Sequence, residues 1–102
     1  MIFHIALPDD WAAARAAGSY TVSTRGVTLD EEGFIHAGED MDQVEFVRGL
    51  LYSDVRSLLL LTIDESKLDV PVKREAVAAV GRTFPHIYGP LPVSAVVDVR
   101  PL

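Results

Sequence analysis

Three histidines, His4, His36 and His86, are the side chains of this 102-residue chain that exchange protons most readily near neutral pH. Each stands among apolar residues, where a histidine is most often packed in the core and bonded to a backbone carbonyl. If the three converge, they could serve acid–base chemistry, or bind a catalytic zinc as three neutral imidazoles with a water. The sequence offers no closely spaced pair of ligands, so no metal is expected.

Two further side chains could act beside the histidines. Glu75 lies in the stretch VKREAV and could be a general base or could stabilise developing positive charge. A surface carboxylate paired with Lys73 or Arg74 is the simpler interpretation. Tyr88 could stack on the ring of a planar ligand, or it could be a core tyrosine with a satisfied hydroxyl.

The stretch of residues 82–92, RTFPHIYGPLP, carries His86, Tyr88 and Gly89 and contains three prolines. Proline fixes φ and lacks an amide donor, and it restricts the preceding residue to extended geometry. Gly89 adds a turn signal. These properties argue against a helix or a central strand and predict a rigid loop that presents His86 and Tyr88.

Composition limits the class of function. The length predicts one domain over residues 1–102. A net charge of −6 with scattered basic residues argues against binding of extended nucleic acid, although one phosphate could still be held. The chain has no cysteine, so thiol chemistry and disulfides are excluded. Neither a signal-peptide pattern nor a membrane-length apolar run is visible, which predicts a soluble cytoplasmic protein.

Short elements must position these side chains. Residues 1–7 predict a strand that carries His4. Pro8 with the acidic residues after it predicts a short helix that ends at Gly18, and Asp40 is expected to cap a second helix that runs to about residue 52. Residues 24–32 predict a loop. About six short strands and two helices indicate an α+β domain, with the remaining strands expected over residues 19–23, 33–37, 56–63, 70–77 and 95–100.

Three stretches of the chain resemble a known family. They are IFHIAL with the following PDDWAAARAAGSY, then EEGFIHA, and finally FPHIYGPLPVSAVVDVRPL. They are similar to the small bacterial and plant proteins called domain of unknown function 952. The resemblance spans nearly the whole chain, and GFIH followed by FPHIYGPL is its specific part. This chain has Ala37–Gly38 where other members often have Cys-Ser, and Arg74 where they often have Trp.

The resemblance implies an ADP-ribosyltransferase-like fold, which is a split and strongly bent β-sheet whose cleft holds NAD in the active relatives. In those relatives a first-strand histidine contacts a ribose hydroxyl and a second histidine or aromatic side chain flanks nicotinamide. A late carboxylate or its substitute stabilises positive charge. His4 would match the first role and His36 the second, while His86, Tyr88 and Glu75 are all candidates for the third.

The leading hypothesis is therefore a domain that binds NAD or a related ADP-ribosyl compound. The resemblance implies His4, His36, Tyr88 and Gly89 as ligand-binding residues. If the domain is catalytic, it would cleave the nicotinamide–ribose bond with His4, His36, His86 and Glu75. One alternative is a non-catalytic module that binds a nucleotide or another small molecule, and a second is a metal-dependent enzyme with three histidine ligands.

Overall fold

The computed structural model describes every residue from Met1 to Leu102 and confirms the predicted α+β class. Its strands form two three-stranded and two two-stranded antiparallel sheets. The helices are α1 (Pro8–Ala17), α2 (Leu29–Glu32) and α3 (Met41–Leu51), and none of them is long and apolar enough to cross a membrane. The strands are β1 (Ile2–Ala6), β2 (Ser19–Tyr20), β3 (Val22–Thr24), β4 (Val27–Thr28), β5 (Ile35–His36), β6 (Leu59–Ile63), β7 (Val72–Val77), β8 (Arg82–Ile87), β9 (Leu91–Pro92) and β10 (Val96–Pro101).

The first sheet has the order β1-β6-β10, with β6 in the centre. A strand covered on both faces needs apolar side chains at successive positions, which explains the run of leucines in the sequence. Leu60, Leu61 and Ile63 are all buried. The pairing of β1 with β6 runs from Ile2 opposite Ile63 to Ala6 opposite Leu59. His4 is therefore the central residue of the edge strand β1. The strands predicted over residues 1–7 and 95–100 are confirmed as the two edge strands of this sheet.

The second sheet has the order β5-β8-β7, and its central strand corrects the sequence analysis. Residues 82–92 were expected to be a rigid loop because of their three prolines, yet Arg82–Ile87 is β8 and Leu91–Pro92 is β9. Pro85 is opposite Ala37, just beyond the end of β5, and accepts a hydrogen bond from the Ala37 amide at 3.0 Å. In an antiparallel pair the amide and the carbonyl of one residue point to the same neighbour, so the amide hydrogen that Pro85 lacks would also point toward Ala37. Because β5 has already ended there, the sheet tolerates the missing donor.

The edges of the two large sheets meet at one point. Phe3 of β1 and Gly38 exchange two backbone hydrogen bonds, of 2.9 and 2.7 Å, and form an isolated bridge. Helix α3 packs on β1, where Val44 joins Ile5 in a small apolar cluster. The larger core lies on the other side of β1 and includes Ile2. The two sheets therefore meet edge to edge at this bridge, with α3 packed on β1.

The helix ends follow local signals in the sequence. Helix α1 begins at Pro8, and Gly18 closes it in a left-handed conformation with φ of 90°, in which its amide donates to the carbonyl of Ala14. Asp40 caps α3 because its carboxylate accepts from the Gln43 amide at 3.0 Å. Both predicted helices are confirmed.

The predicted loop over residues 24–32 is wrong, and the predicted number of elements is too low. This segment contains β4 and the four-residue helix α2, which starts with a capping box between Thr28 and Glu31. The Glu31 amide donates to the Thr28 hydroxyl at 3.2 Å, and the Thr28 amide donates to the Glu31 carboxylate at 3.0 Å. Strands of two residues are too short to leave an alternating pattern in the sequence, and the structure has ten strands instead of about six.

Candidate functional site

One face of the second sheet carries most of the residues that the sequence singles out. Side chains alternate between the two faces of a strand, and directly paired residues share a face. His36 is paired with His86, and Glu75 is paired with Phe84, so these four side chains lie on the same face. We call it the histidine face and define it by the residues Phe34, His36, Glu75, Phe84, His86 and Tyr88.

Glu75 joins two of these side chains in one hydrogen-bonded cluster. Its Oε1 accepts from Nδ1 of His86 at 2.8 Å and also from the hydroxyl of Tyr88. These two bonds, with Tyr88 the larger cause, hold the pKa of Glu75 below its usual value. The pKa of the Tyr88 hydroxyl is raised by the same bond. Glu75 is therefore an ionised acceptor at neutral pH, and Tyr88 is a donor.

His86 is buried, and its second ring nitrogen has no partner. The Phe34 ring stacks on the His86 ring, with centroids 4.0 Å apart and an angle of 17° between the planes. Because Glu75 accepts from Nδ1, the neutral ring of His86 carries its lone pair on Nε2. That atom is buried and makes no hydrogen bond within the protein. A buried polar atom of this kind is uncommon, and it suits a ligand or water that donates a hydrogen bond.

His36 lies beside His86 but is more open to solvent. Its side chain is 33% exposed, its ring centroid is 5.2 Å from that of His86, and its Nε2 is 3.1 Å from a carboxylate oxygen of Glu32. Glu32 is the last residue of α2, and this position places its side chain next to His36. Burial lowers the pKa of His36, and the bond to Glu32 opposes that change. Two histidines, each next to a carboxylate, therefore stand side by side on paired strands.

His4 is buried below this face, and both of its ring nitrogens are used. Nδ1 donates to the backbone carbonyl of His36 at 2.5 Å, and Nε2 accepts from the hydroxyl of Tyr20 at 2.9 Å. Burial is the main cause that lowers the pKa of His4 to about 4. The ring is therefore neutral at pH 7, and it connects β1 to the backbone of β5 at the position of His36.

An apolar groove opens next to the histidine face. It has a volume of about 150 Å³, and no lysine, arginine, aspartate or glutamate lines it. His36 and Phe84 form the part of its wall that belongs to the histidine face, and Phe46 and Leu50 of α3 form the opposite part. A cavity of about 150 Å³ lined by aliphatic and aromatic side chains is known to hold one benzene ring. The groove therefore matches a single ring in size.

The structure brings together four of the six residues proposed from the sequence. His36, Glu75, His86 and Tyr88 all lie on the histidine face. His4 does not lie on this face: it bonds the backbone carbonyl of His36 and also lines the groove. The sixth residue, Gly89, is placed against another part of the chain: a Cβ atom there would lie 2.4 Å from Cγ1 of Val70.

Other residues of the site were not singled out in the sequence. Phe84 stands two residues before His86 in β8, and Phe34 stands two residues before His36, just ahead of β5, a period-2 spacing that indicates a shared face. Glu32 and the groove residues of α3 carried no such signal, because their approach depends on the fold. No group of three or more His, Cys, Asp or Glu side chains is arranged to hold a metal ion.

Comparisons with known proteins agree with the resemblance in the sequence. The chain is similar to protein CC0527 from Caulobacter crescentus, whose crystal structure superposes with a TM-score of 0.83 at 31% identity. The match covers 99% of this chain and 84% of that one. The solution NMR structure of CC0527 gives a TM-score of 0.79 at 31% identity, with 99% and 83% of the two chains covered. A search of curated proteins found no match.

The sequence model of one family matches almost the whole chain. That family is described as protein of unknown function (DUF952), and the match covers residues 5–99, which include every residue of the histidine face and of the groove's α3 wall. The matched span exceeds half of the chain, and the chain therefore belongs to the DUF952 family.

Proposed function

We propose that the protein binds a small molecule through one planar ring in the groove, with the rest of the ligand on the histidine face. NAD or another ADP-ribosyl compound is the leading ligand. The observation that carries the proposal is that His36 and Phe84 belong to the groove and to the histidine face at once. An apolar pocket with a few converging polar groups at its end is the usual form of a small-molecule site.

The groove and the histidine face fit different parts of such a ligand. A nicotinamide ring is close to benzene in size, so it suits a volume of about 150 Å³. A dinucleotide has a second ring system, which would lie outside the groove. The unpartnered Nε2 of His86 suits a hydroxyl or an amide that donates a hydrogen bond. An ADP-ribosyltransferase-like fold is part of this proposal, and the division of the strands into two three-stranded sheets that meet at the Phe3–Gly38 bridge supports it.

A second candidate function, cleavage of the bond between the ring and a ribose, is favoured by the cluster around Glu75. NAD would supply a ribose joined to a positively charged ring. The ionised carboxylate of Glu75 would stabilise positive charge that develops beside it, while His86 and Tyr88 hold the carboxylate in place. His36 would face the leaving ring, and His4 would position His36 through its backbone carbonyl.

A thermal-shift screen of untagged protein tests the binding proposal. The compounds are NAD, ADP-ribose, nicotinamide and other nucleotides. A ligand at a hundred times its dissociation constant stabilises the folded state by about 2.7 kcal/mol, which is easily measured in a domain of this size. We expect NAD or ADP-ribose to raise the melting temperature. No shift with any of these compounds would contradict the proposal.

Two variants locate the binding. Leu50→Glu puts a charge into the groove at a side chain that is 56% exposed, so folding should be retained while the shift is lost. Val97→Glu is the matched control, because Val97 is also exposed but lies on β10 outside the groove. A shift that survives in Leu50→Glu would place the ligand elsewhere. Release of nicotinamide by wild-type protein, and its loss in Glu75→Gln, would separate the enzyme from a binding module.

A further inference from the structure

One cation stands at the edge of the groove without an anionic partner. Arg82 begins β8, and on that strand it shares a face with Phe84; it is also paired with Val77 of β7. Both Phe84 and Val77 line the groove. The guanidinium carbon of Arg82 lies 3.9 Å from the ring centroid of Phe46, another groove residue. A cation–π contact at this distance holds the guanidinium at the groove edge.

Arg82 differs in this respect from the other arginines near the site. Arg25 is paired with Asp54 and Arg48 with Glu45, whereas the guanidinium of Arg82 takes part in no ion pair or hydrogen bond within the protein. The planar guanidinium lies on an aromatic ring, and this leaves its N–H groups free to donate at their edge. In a chain with a net charge of −6, a free cation beside an otherwise uncharged groove is a specific feature.

We propose that the groove selects a ring-bearing anion, with the apolar ring inside and a carboxylate or phosphate on Arg82. This inference rests on the proposed function, because it specifies the chemical class of the ligand that the groove holds. The planar guanidinium suits either anion, since each presents oxygen atoms that can accept two parallel N–H bonds. Arg82 is then a specificity-determining residue, and the groove supplies affinity that does not depend on charge.

Three small probes of nearly equal size separate the two contributions. Benzamide is a neutral ring, benzoate carries a carboxylate, and phenyl phosphate carries a phosphate. Each is titrated into ¹⁵N-labelled protein, and the dissociation constant is taken from the shifts of the Val77, Val80 and Phe84 amides, which report on the groove. We expect at least one anion to bind about fivefold more tightly than benzamide, as a partly exposed charge pair allows. The preferred anion identifies the head group.

Variants of Arg82 test whether the guanidinium causes this preference. Arg82→Gln should remove the difference between the anions and benzamide, and Arg82→Lys should retain part of it because the charge remains. Arg15→Gln on α1 is the matched control: it removes the same charge from an exposed helix outside the groove and should keep the full preference. The preference should also shrink between about 0.01 M and about 1 M salt, since the charge pair is open to solvent.

The outcomes separate this inference from the proposed function. If benzamide and the anions bind the groove equally well, the role of Arg82 is wrong and the ring-binding proposal stands. A preference that persists in Arg82→Gln also overturns the role of Arg82. If none of the three probes shifts the groove amides, both the groove proposal and this inference are wrong.

Discussion

Burial sets the pKa of His4, and the lowered pKa makes the stability of the folded protein depend on pH. Burial lowers its pKa from 6.5 to about 4 in the folded protein. The unfolded chain therefore binds more protons than the folded one between these two values, and the free energy of unfolding falls as the pH drops through that window. For His4 alone the full loss is about 3 kcal/mol. Below about pH 4 this contribution is exhausted.

We predict that the His4 ring stays neutral in folded protein down to about pH 4. An NMR titration of the ring signals measures this directly, and urea unfolding at several pH values measures the linked loss of stability. His36 contributes in the same direction, because its pKa is also lowered. The variant His4→Gln should therefore keep a smaller dependence on pH. A His4 ring that becomes protonated near pH 6 would contradict the assignment.

Gly89 has a packing reason for being glycine. A Cβ atom at this position would lie 2.4 Å from Cγ1 and 2.9 Å from Cβ of Val70, and both distances are shorter than van der Waals contact. We predict that Gly89→Ala lowers the free energy of unfolding by about 1–3 kcal/mol, as overpacking usually does. Because Val70→Ala removes the closer of the two atoms, the double variant should recover part of the loss. Urea unfolding of the four proteins measures the coupling. Additive effects would show that Val70 is not the obstacle.

At the scale of single elements, helix α2 connects a local capping signal to the site. Thr28 caps the helix, and its last residue, Glu32, contacts His36. Loss of such a cap costs about 1 kcal/mol. We predict that Thr28→Ala lowers the free energy of unfolding by about that amount and also weakens the Glu32–His36 contact. The second effect should appear as a changed NMR titration of His36. Thr28→Ser, which keeps the hydroxyl, is the control and should resemble the wild type in both measurements.

The elements show which parts of the fold can be predicted from the sequence. Gly18 and Asp40 act on their own helices within a few residues, so the ends of α1 and α3 could be predicted. Pro85 argued against a strand because its neighbours in the sheet are invisible in the sequence. Only the end of β5 opposite Pro85 makes the missing donor harmless. The capping box of Thr28 was visible, but the short and acidic segment around it hid the helix.

The residues of the site, like the elements of the fold, could be predicted only where the signal in the sequence is local. His36, Glu75, His86 and Tyr88 could be selected as chemical groups, and the alternation along β8 could have placed Phe84 with His86. The hydrogen bonds from His86 and Tyr88 to Glu75 depend on the pairing of β7 with β8, and this register is not encoded locally. The groove was less predictable still, because no local pattern shows which residues of α3 the fold brings against the second sheet. Leu50 and Leu51, which line it, are 56% and 41% exposed.

For the molecule as a whole, several contacts connect the two large sheets besides the core that they share. One is the bridge between Phe3 and Gly38. Another is Arg74 of β7, whose guanidinium donates to Glu39 and to Glu65 at 2.7–3.1 Å. Glu39 precedes α3, and Glu65 lies in the short 3-10 helix after β6. Arg74 therefore connects the second sheet to the segment that follows the central strand of the first.

We predict that Arg74→Gln lowers the free energy of unfolding by about 1 kcal/mol, measured by urea unfolding at low salt. The value is modest because all three side chains are 35–40% exposed, and such pairs are weakened by solvent. Arg100→Gln is the control, because Arg100 bonds only Asp98, two residues away, and cannot connect the sheets. It should change the free energy of unfolding clearly less than Arg74→Gln does. The effect at Arg74 should shrink in about 1 M salt. Equal effects of the two substitutions would mean that Arg74 does not hold the sheets together, and that the shared core, the His4–His36 bond and the bridge at Phe3 do so.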